Sequence, residues 1–298
     1  MQPYFRPLWM SVLLALVFTS FSKGREAWQE PVKGKASLLP DARQVRWTGA
    51  DGQLLPFEGE EEILEFLRTA RVVSRKTLTQ GMNRPRKMLL EKDGVQAHAV
   101  FRDVRTESFQ AKVVRGINRL RQRDDYIFEA AAYRLSRLWG TDNVPPTVMR
   151  SMGMRRGTLQ LWVEEAWTEA ERRKRDRQPP DTLAWTRQLQ VKVIFDHLIF
   201  NDDRNQGNWL IDRHWNIWLI DHTRAFDAIP KFLLPGRVYW CPRSLWQKLT
   251  TLSPELIRQQ MKPYLKDWQI KALLKRWQLL RDHIRSLITL KGEKAVLF

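Results

Sequence analysis

Apolar positions recur at helical spacing in some stretches of the chain and alternate in others. Glu60 to Ala70 places Ile63, Leu64, Phe66 and Leu67 on one face, which predicts an amphipathic helix. Arg86 to Leu90 and Val95 to Val104 predict two strands joined through Asp93-Gly94, a strong turn dipeptide. In the second strand Val95, Ala97, Ala99 and Phe101 share one face, and Gln96, His98, Val100 and Arg102 share the other. Asp124 to Trp139 carries Ala130, Ala131, Tyr133, Leu135 and Leu138 as a helix that stops at Gly140. Val144-Pro145-Pro146 opens an extended segment, and Leu159 to Val163 predicts a further strand. Thr182 to Phe200 reads as a long helix, and Trp209 to Ile211 with Ile217 to Ile220 reads as a hairpin. From Ser244 onward the pattern is helical, with Ser253-Pro254 as a cap followed by proline in the first turn. A short hairpin is expected over Val45 to Phe57, turning at Asp51-Gly52.

Two stretches break these patterns. Arg105 to Arg123 reads as a partly ordered basic insertion. Glu164 to Pro180, with Arg172, Arg173, Lys174, Arg175 and Arg177, reads as a linker or exposed basic loop. Strands dominate the first half and helices the second, so the fold class is α+β. A β-rich N-terminal lobe is expected over residues 45–163 and an α-rich C-terminal lobe over 164–298. Residues 23–44, with Pro31 and Pro40, read as a linker.

The first 22 residues change the picture of where the protein works. Arg6 precedes an apolar run from Leu8 to Phe21, and Ser20 and Ser22 offer small residues for cleavage. The run falls short of the roughly 20 residues of a membrane-spanning helix. The readings, in order, are a cleaved signal peptide, an uncleaved anchor and a buried helix. The expected location is secreted, periplasmic or the lumen of the secretory pathway, with attachment through an N-terminal anchor as the variant. A single cysteine, Cys241, excludes an intramolecular disulfide. The formal net charge of +18 favours acidic partners, including polyanions, and gives no firm sign of nucleic acid.

The segment from Asp196 to Ile211, followed by Trp218-Leu219-Ile220-Asp221-His222, carries the chemistry. A helix ends in a loop rich in Asp and Asn, and a hairpin then closes on a second aspartate. Asp203 and Asn208 have the separation of the Asp and Asn in a protein-kinase catalytic loop, and Asp221 stands where a metal-binding Asp follows. Turn preference alone also gathers Asp, Asn and Gly in loops. It is the series of helix, Asp-Arg, Asn, hairpin and apolar-apolar-Asp that points to phosphoryl transfer.

The segment resembles the kinase-like superfamily, in particular the Golgi casein kinase family of secretory-pathway kinases and the lipid-kinase-like bacterial kinases, with Asp-Arg in place of His-Arg-Asp. Glu129 to Leu138 with Val144-Pro145-Pro146 is similar to that family's glutamate-bearing helix. Ala99-Val100-Phe101-Arg102 is similar to its Ala-x-Phe-Lys strand. The likeness spans about Gly81 to Phe226. It implies a two-lobed protein-kinase-like fold and an ATP-dependent phosphotransferase using Mg²⁺ or Mn²⁺ on a hydroxyl of a protein, sugar or lipid. Asp203 would be the catalytic base or orienter, and Asn208 and Asp221 would hold the metal. Arg102 and Glu129 would hold the phosphates. Leu161 and Val163 would line the hinge beside the adenine, and Arg204 would hold the loop. Two departures stand out: Arg102 replaces the usual lysine, with Lys92 as a candidate surrogate, and only Gly81 marks the phosphate-covering loop. Arg102 favours the alternative reading of an impaired pseudokinase, a nucleotide-binding or polyanion-binding scaffold.

Overall fold

The computed structural model describes residues 47–79, 84–108, 112–114, 117–119, 122–233 and 235–298. The N-terminal apolar run, the 23–44 linker and the expected loop at Gly81 lie outside the described residues. In chain order the elements begin with α1 (Glu60–Thr69), β1 (Arg71–Thr77), β2 (Arg86–Lys92) and β3 (Val95–Arg102). There follow β4 (Arg105–Ser108), β5 (Lys112–Val114), β6 (Ile117–Arg119), β7 (Gln122–Asp125) and α2 (Ile127–Trp139). Next are β8 (Thr147–Met152), β9 (Arg155–Leu161), β10 (Trp167–Thr168), α3 (Glu169–Lys174) and α4 (Thr182–Ile199). The chain ends with β11 (Trp209–Ile211), β12 (Ile217–Leu219), α5 (Arg243–Thr251), α6 (Pro254–Met261), α7 (Asp267–Lys291) and α8 (Glu293–Val296).

Five antiparallel strands form the N-terminal sheet in the order β1-β2-β3-β9-β8. Strand alternation sorts its two faces as the sequence predicts. Met88, Leu90, Ala97, Ala99, Phe101, Leu159 and Leu161 turn to one face, where Ile63, Phe66 and Leu67 of α1 cover them. Lys76, Lys87, Val100, Gln160 and Thr147 are paired in one row across the strands and occupy the opposite face. Arg102 shares that face, one step along β3. The C-terminal region packs α4, α5, α6 and α7 around a second core that includes Phe195, Leu198, Leu249, Ile270 and Leu273. Ser253 caps α6 by accepting from the Leu256 amide, and Pro254 stands at its first position, as the Ser-Pro pair predicts. The strand-rich first half and helical second half make the two-lobed, kinase-like α+β arrangement.

Two expectations change. Arg105 to Arg123 is not patternless: β4 pairs with β7 and β5 with β6, so the described parts of the insertion are antiparallel ribbon. Glu164 to Pro180 is not an exposed loop throughout. Thr168 and Glu171 form a capping box that starts α3. Glu169 is buried and takes ion pairs from both Arg172, at 2.7 Å, and Arg173, so part of the basic run is neutralised internally.

One glycine keeps β3 and β9 close. A methyl group on Gly157 would stand 2.6 Å from the Phe101 ring and press on the Arg102 carbonyl. Overpacking of this kind costs about 1–3 kcal/mol. Gly157→Ala is therefore expected to lower the unfolding midpoint in a urea titration by a corresponding amount; an unchanged midpoint would show that β9 has room to shift.

Candidate functional site

The predicted catalytic loop folds because its residue types suit it. Helix α4 closes at Phe200, whose φ of 53° is left-handed. Asn and Asp side chains then satisfy the backbone of the turn. The Asn201 amide oxygen accepts from the Asp203 amide at 3.3 Å, and the Asn205 side chain accepts from the Gly207 amide at 2.8 Å. The Asn208 side chain donates to the Asp203 carbonyl at 3.0 Å, which leaves its amide oxygen as the atom suited to a cation.

Arg204 locks this loop to the following hairpin. Its Nε donates to Asp196 of α4 at 3.0 Å, and one terminal nitrogen donates to the carbonyls of Ile220, at 2.5 Å, and Asn208. The Ile220 amide in turn donates to the Asn208 carbonyl at 3.2 Å. These bonds put Asp221 beside the loop; its φ of 58° is a conformation that Asp tolerates better than most residues. The role expected of Arg204 is the one it has.

Arg102 and Glu129 meet across the sheet and α2. The Arg102 Nε lies 3.6 Å from Glu129 Oε1, with the two side chains 8% and 0% exposed. Glu129 is thus not a surface glutamate. Its other contacts come from the residue after Asp221: the His222 amide donates to Oε1 at 2.8 Å, and His222 Nδ1 bonds Oε2 at 3.0 Å. Burial alone would raise the Glu129 carboxyl, but Arg102 and His222 overcome it and hold the pKa at about 2. Burial pushes the His222 pKa down, so the ring is neutral and its Nδ1–H donates a hydrogen bond to the Glu129 carboxylate. One buried carboxylate therefore connects β3, α2 and the turn that carries Asp221.

A second network was not legible from the sequence. Arg224 binds Asp124 with both carboxylate oxygens at 3.1 Å and reaches Asp203 Oδ2 at 3.4 Å. Thr223 donates to Asp124 at 2.9 Å and to Asp221 at 3.3 Å. Asp124, from the base of the β4–β7 ribbon, is thereby gathered with Asp203 and Asp221 around one guanidinium. The Asp203 carboxyl is raised, first by partial burial and further by the charge of Asp221, with Arg224 opposing both. Only the long-range pairing of residues about a hundred positions apart creates this cluster, and no local spacing announces it.

At the other end of β9, Leu161 and Val163 are buried in the sheet's core, and the intervening Trp162 donates its amide to the His98 carbonyl at 3.0 Å. The Lys87 ammonium lies 4.3 Å from the centre of the Trp162 ring. Lys92 bonds Thr69 at the end of α1, away from Arg102, so it does not replace the missing lysine; Lys76 and Lys87 are on the Arg102 face, Lys87 on the strand next to β3. Among the described residues no group of three His, Cys, Asp or Glu side chains has metal-binding geometry. The amide oxygen of Asn208 with the carboxylate of Asp221 does suit a hard cation that takes its remaining ligands from phosphate and water.

Three solved structures share this architecture. A Fam20 protein from hydra, solved with a sugar, superposes with a TM-score of 0.62 at 16% identity, covering 88% of this chain and 97% of the other. The Golgi casein kinase with Mn/ADP bound gives 0.57 at 15% identity, covering 80% and 78%. A second structure of the Golgi casein kinase gives 0.56 at 15% identity, again covering 80% and 78%. The chain has a Fam20-like kinase fold. No family model and no curated protein sequence matches it, so the Fam20-like likeness is one of three-dimensional structure.

Proposed function

We propose that this chain is an ATP-dependent phosphotransferase that moves the γ-phosphoryl group of ATP to a hydroxyl acceptor. The observation that carries the reading is the Arg102–Glu129–His222 connection, which sets a cation from β3 and the Asp221 turn in fixed relation. In this reading Asp203 accepts or orients the acceptor's hydroxyl proton, and its raised pKa suits proton transfer better than an ordinary aspartate does. Asn208 and Asp221 hold Mg²⁺ or Mn²⁺, which neutralises phosphate charge. Arg102, positioned by Glu129, binds the phosphates. The Leu161 and Val163 side chains point into the core away from Arg102, so between Leu161 and Glu164 it is the backbone, with the Trp162 ring beside Lys87, that borders the base. Lys87 adds a second cation on the same face. The Fam20-like neighbours support the choice of ligands, since one was solved with Mn/ADP and another with a sugar. The Golgi location in one neighbour's name agrees with a secreted or lumenal site of action, to which the N-terminal segment adds a signal peptide or anchor. Protein, sugar and lipid hydroxyls all remain acceptor classes for this chemistry, and the basic surface adds contacts with polyanions.

Asp221→Ala is expected to abolish the Mn²⁺-ATP-dependent rise in Tm while the apo protein melts near wild type; Asp203→Asn is expected to keep that rise and lose ATP turnover. Full stabilisation of Asp221→Ala by Mn²⁺-ATP would remove the metal assignment. One observation favours a second reading, a nucleotide-binding pseudokinase: Arg102 has a planar fork where a compact ammonium is usual, and its Nη1 is buried without a hydrogen-bond partner. Stabilisation by Mn²⁺-ATP without turnover in the wild-type chain would select it.

A further inference from the structure

Arg224 touches carboxylates to which the proposed reaction gives separate tasks. Its Nε donates to both oxygens of Asp124 at 3.1 Å, and its Nη1 lies 3.4 Å from Asp203 Oδ2. Thr223 extends the group to Asp221, with its hydroxyl 2.9 Å from Asp124 and 3.3 Å from Asp221. Exposure rises along the chain of contacts: the side chains of Asp124, Arg224 and Asp203 are 10%, 16% and 43% exposed. The guanidinium is therefore gripped at one end by a largely buried carboxylate and presents its other end to the open carboxylate of the catalytic loop.

Charge explains why a cation is wanted at that place. A phosphoryl group in transfer carries negative charge on its three equatorial oxygens. In the proposed function a metal ion at Asn208 and Asp221 offsets that charge on the nucleotide side. On the acceptor side stands Asp203, whose carboxylate repels those oxygens at close range. Arg224 is the cation that meets Asp203. Burial opposes the charge of Arg224, but Asp124, Asp203 and Asp221 outweigh it and raise the pKa, so the group stays charged. A guanidinium has five N–H groups in a planar fork, enough to serve two carboxylates and also reach a phosphoryl oxygen. A single ammonium cannot hold that span.

We propose that Arg224 is a catalytic residue whose guanidinium, held by Asp124, binds the equatorial oxygens of the phosphoryl group as it passes to the acceptor. The inference rests on the phosphotransferase reading and adds to it a group that acts in the transition state. In that step the acceptor oxygen forms a bond to the γ-phosphorus as the bond to the bridging oxygen of ADP breaks. The bonding pair leaves on ADP, and the hydroxyl proton goes to Asp203. Arg224 exchanges no proton; it offsets the charge of the group in flight. A contact made more strongly in transfer than in the bound nucleotide raises kcat and leaves KM alone. Asp124 is a positioning residue that acts through Arg224.

The test reads thermal shift and ATP turnover on the full chain. Mn²⁺-ADP reports nucleotide binding, and aluminium fluoride added to it supplies a mimic of the phosphoryl group in flight. Wild type is expected to gain a further rise in Tm from aluminium fluoride. Arg224→Ala and Arg224→Lys are expected to keep the Mn²⁺-ADP rise and lose the further one. Their kcat is expected to fall about 10³-fold, the lower end for loss of an arginine that meets a transferring phosphoryl group, with KM for ATP held. Millimolar guanidinium chloride is expected to restore part of both readouts to Arg224→Ala and none to Arg224→Lys, whose side chain fills the space. Asp124→Asn is expected to lower kcat about tenfold, the scale of a lost outer partner, again with KM held. A lysine variant that turns over like wild type makes Arg224 a strut between Asp124 and the catalytic loop and overturns the proposal. Loss of the Mn²⁺-ADP rise in both variants also overturns it, because the arginine then shapes the nucleotide site. A wild type that gains nothing from aluminium fluoride does the same. Wild-type turnover indifferent to Arg224 defeats the arginine alone, whereas a wild type without ATP turnover defeats the phosphotransferase reading and this proposal with it.

Discussion

Glu129→Ala is expected to destabilise the protein by about 3–5 kcal/mol, the usual loss when one partner of a buried ion pair is removed. The substitution strands three groups together. Arg102, 8% exposed, loses the carboxylate that neutralises it, and both the amide and the ring of His222 lose their acceptor. Urea unfolding measures the effect. Replacing both partners in the double variant Arg102→Met/Glu129→Leu is expected to cost clearly less than the sum of the single changes, because no buried charge is then left alone. Additive costs would mean that Arg102 draws its stabilisation from elsewhere.

The same carboxylate makes a prediction in pH. Its folded pKa of about 2 lies below the ordinary 4.5, so the group binds its proton more weakly in the folded state. Its contribution is therefore complete above about pH 4.5 and is lost as the pH falls toward 2. A shift of that size corresponds to about 3 kcal/mol. Glu129→Gln removes the titrating group, so its stability is expected to fall less steeply than wild type across that window. Parallel curves would show that other carboxylates govern the acid limb.

How much of this was legible in the sequence depended on how far apart the partners lie. The meeting of Asp203, Asn208 and Asp221 was readable because all three lie within one loop and one hairpin. Val95 to Arg102 was readable because strict alternation buries one face under α1. Strand β1 escaped notice: it is a largely exposed edge of charged and β-branched residues with no alternation to detect. The β4–β7 ribbon was hidden because Arg-Thr-Glu-Ser and Gln-Arg-Asp-Asp hold no apolar residue to alternate, and β5 and β6, three residues each, are too short for a period to register. Helix α3 was mistaken for loop because its arginines looked solvated, whereas the buried Glu169 organises them. Glu129 was found only through family resemblance, and Asp124 with Arg224 not at all. Each finds its partner across a separation that no local pattern encodes.

Arg276→Met is expected to lower stability by about 2–4 kcal/mol and to weaken the nucleotide-dependent rise in Tm. Arg276 on α7 has no exposed surface. Its Nε donates to the Leu198 carbonyl at 2.9 Å, and its Nη1 donates to the carbonyls of Asp227 and Ile229 at 3.0 and 2.8 Å. One side chain thus joins the end of α4, just before the Asp203 loop, to the segment that follows Asp221. Burial pulls its pKa down, with Asp227 opposing, so the charge is held at a cost. Methionine preserves apolar contact with Phe200, whose ring lies 5.5 Å from the guanidinium, and relieves that cost. Three carbonyls then lose their donor at about 1–3 kcal/mol each where water cannot replace it. The carbonyl term is the larger, which sets the sign of the expected change. Arg276→Lys supplies a charge but not the fork that spans all three oxygens, so it is expected to recover only part of the loss. The measurement pairs urea unfolding of the apo protein with thermal shifts in Mn²⁺-ATP. A methionine variant as stable as wild type, with the full nucleotide shift, would show that α7 does not hold the two halves of the site in place.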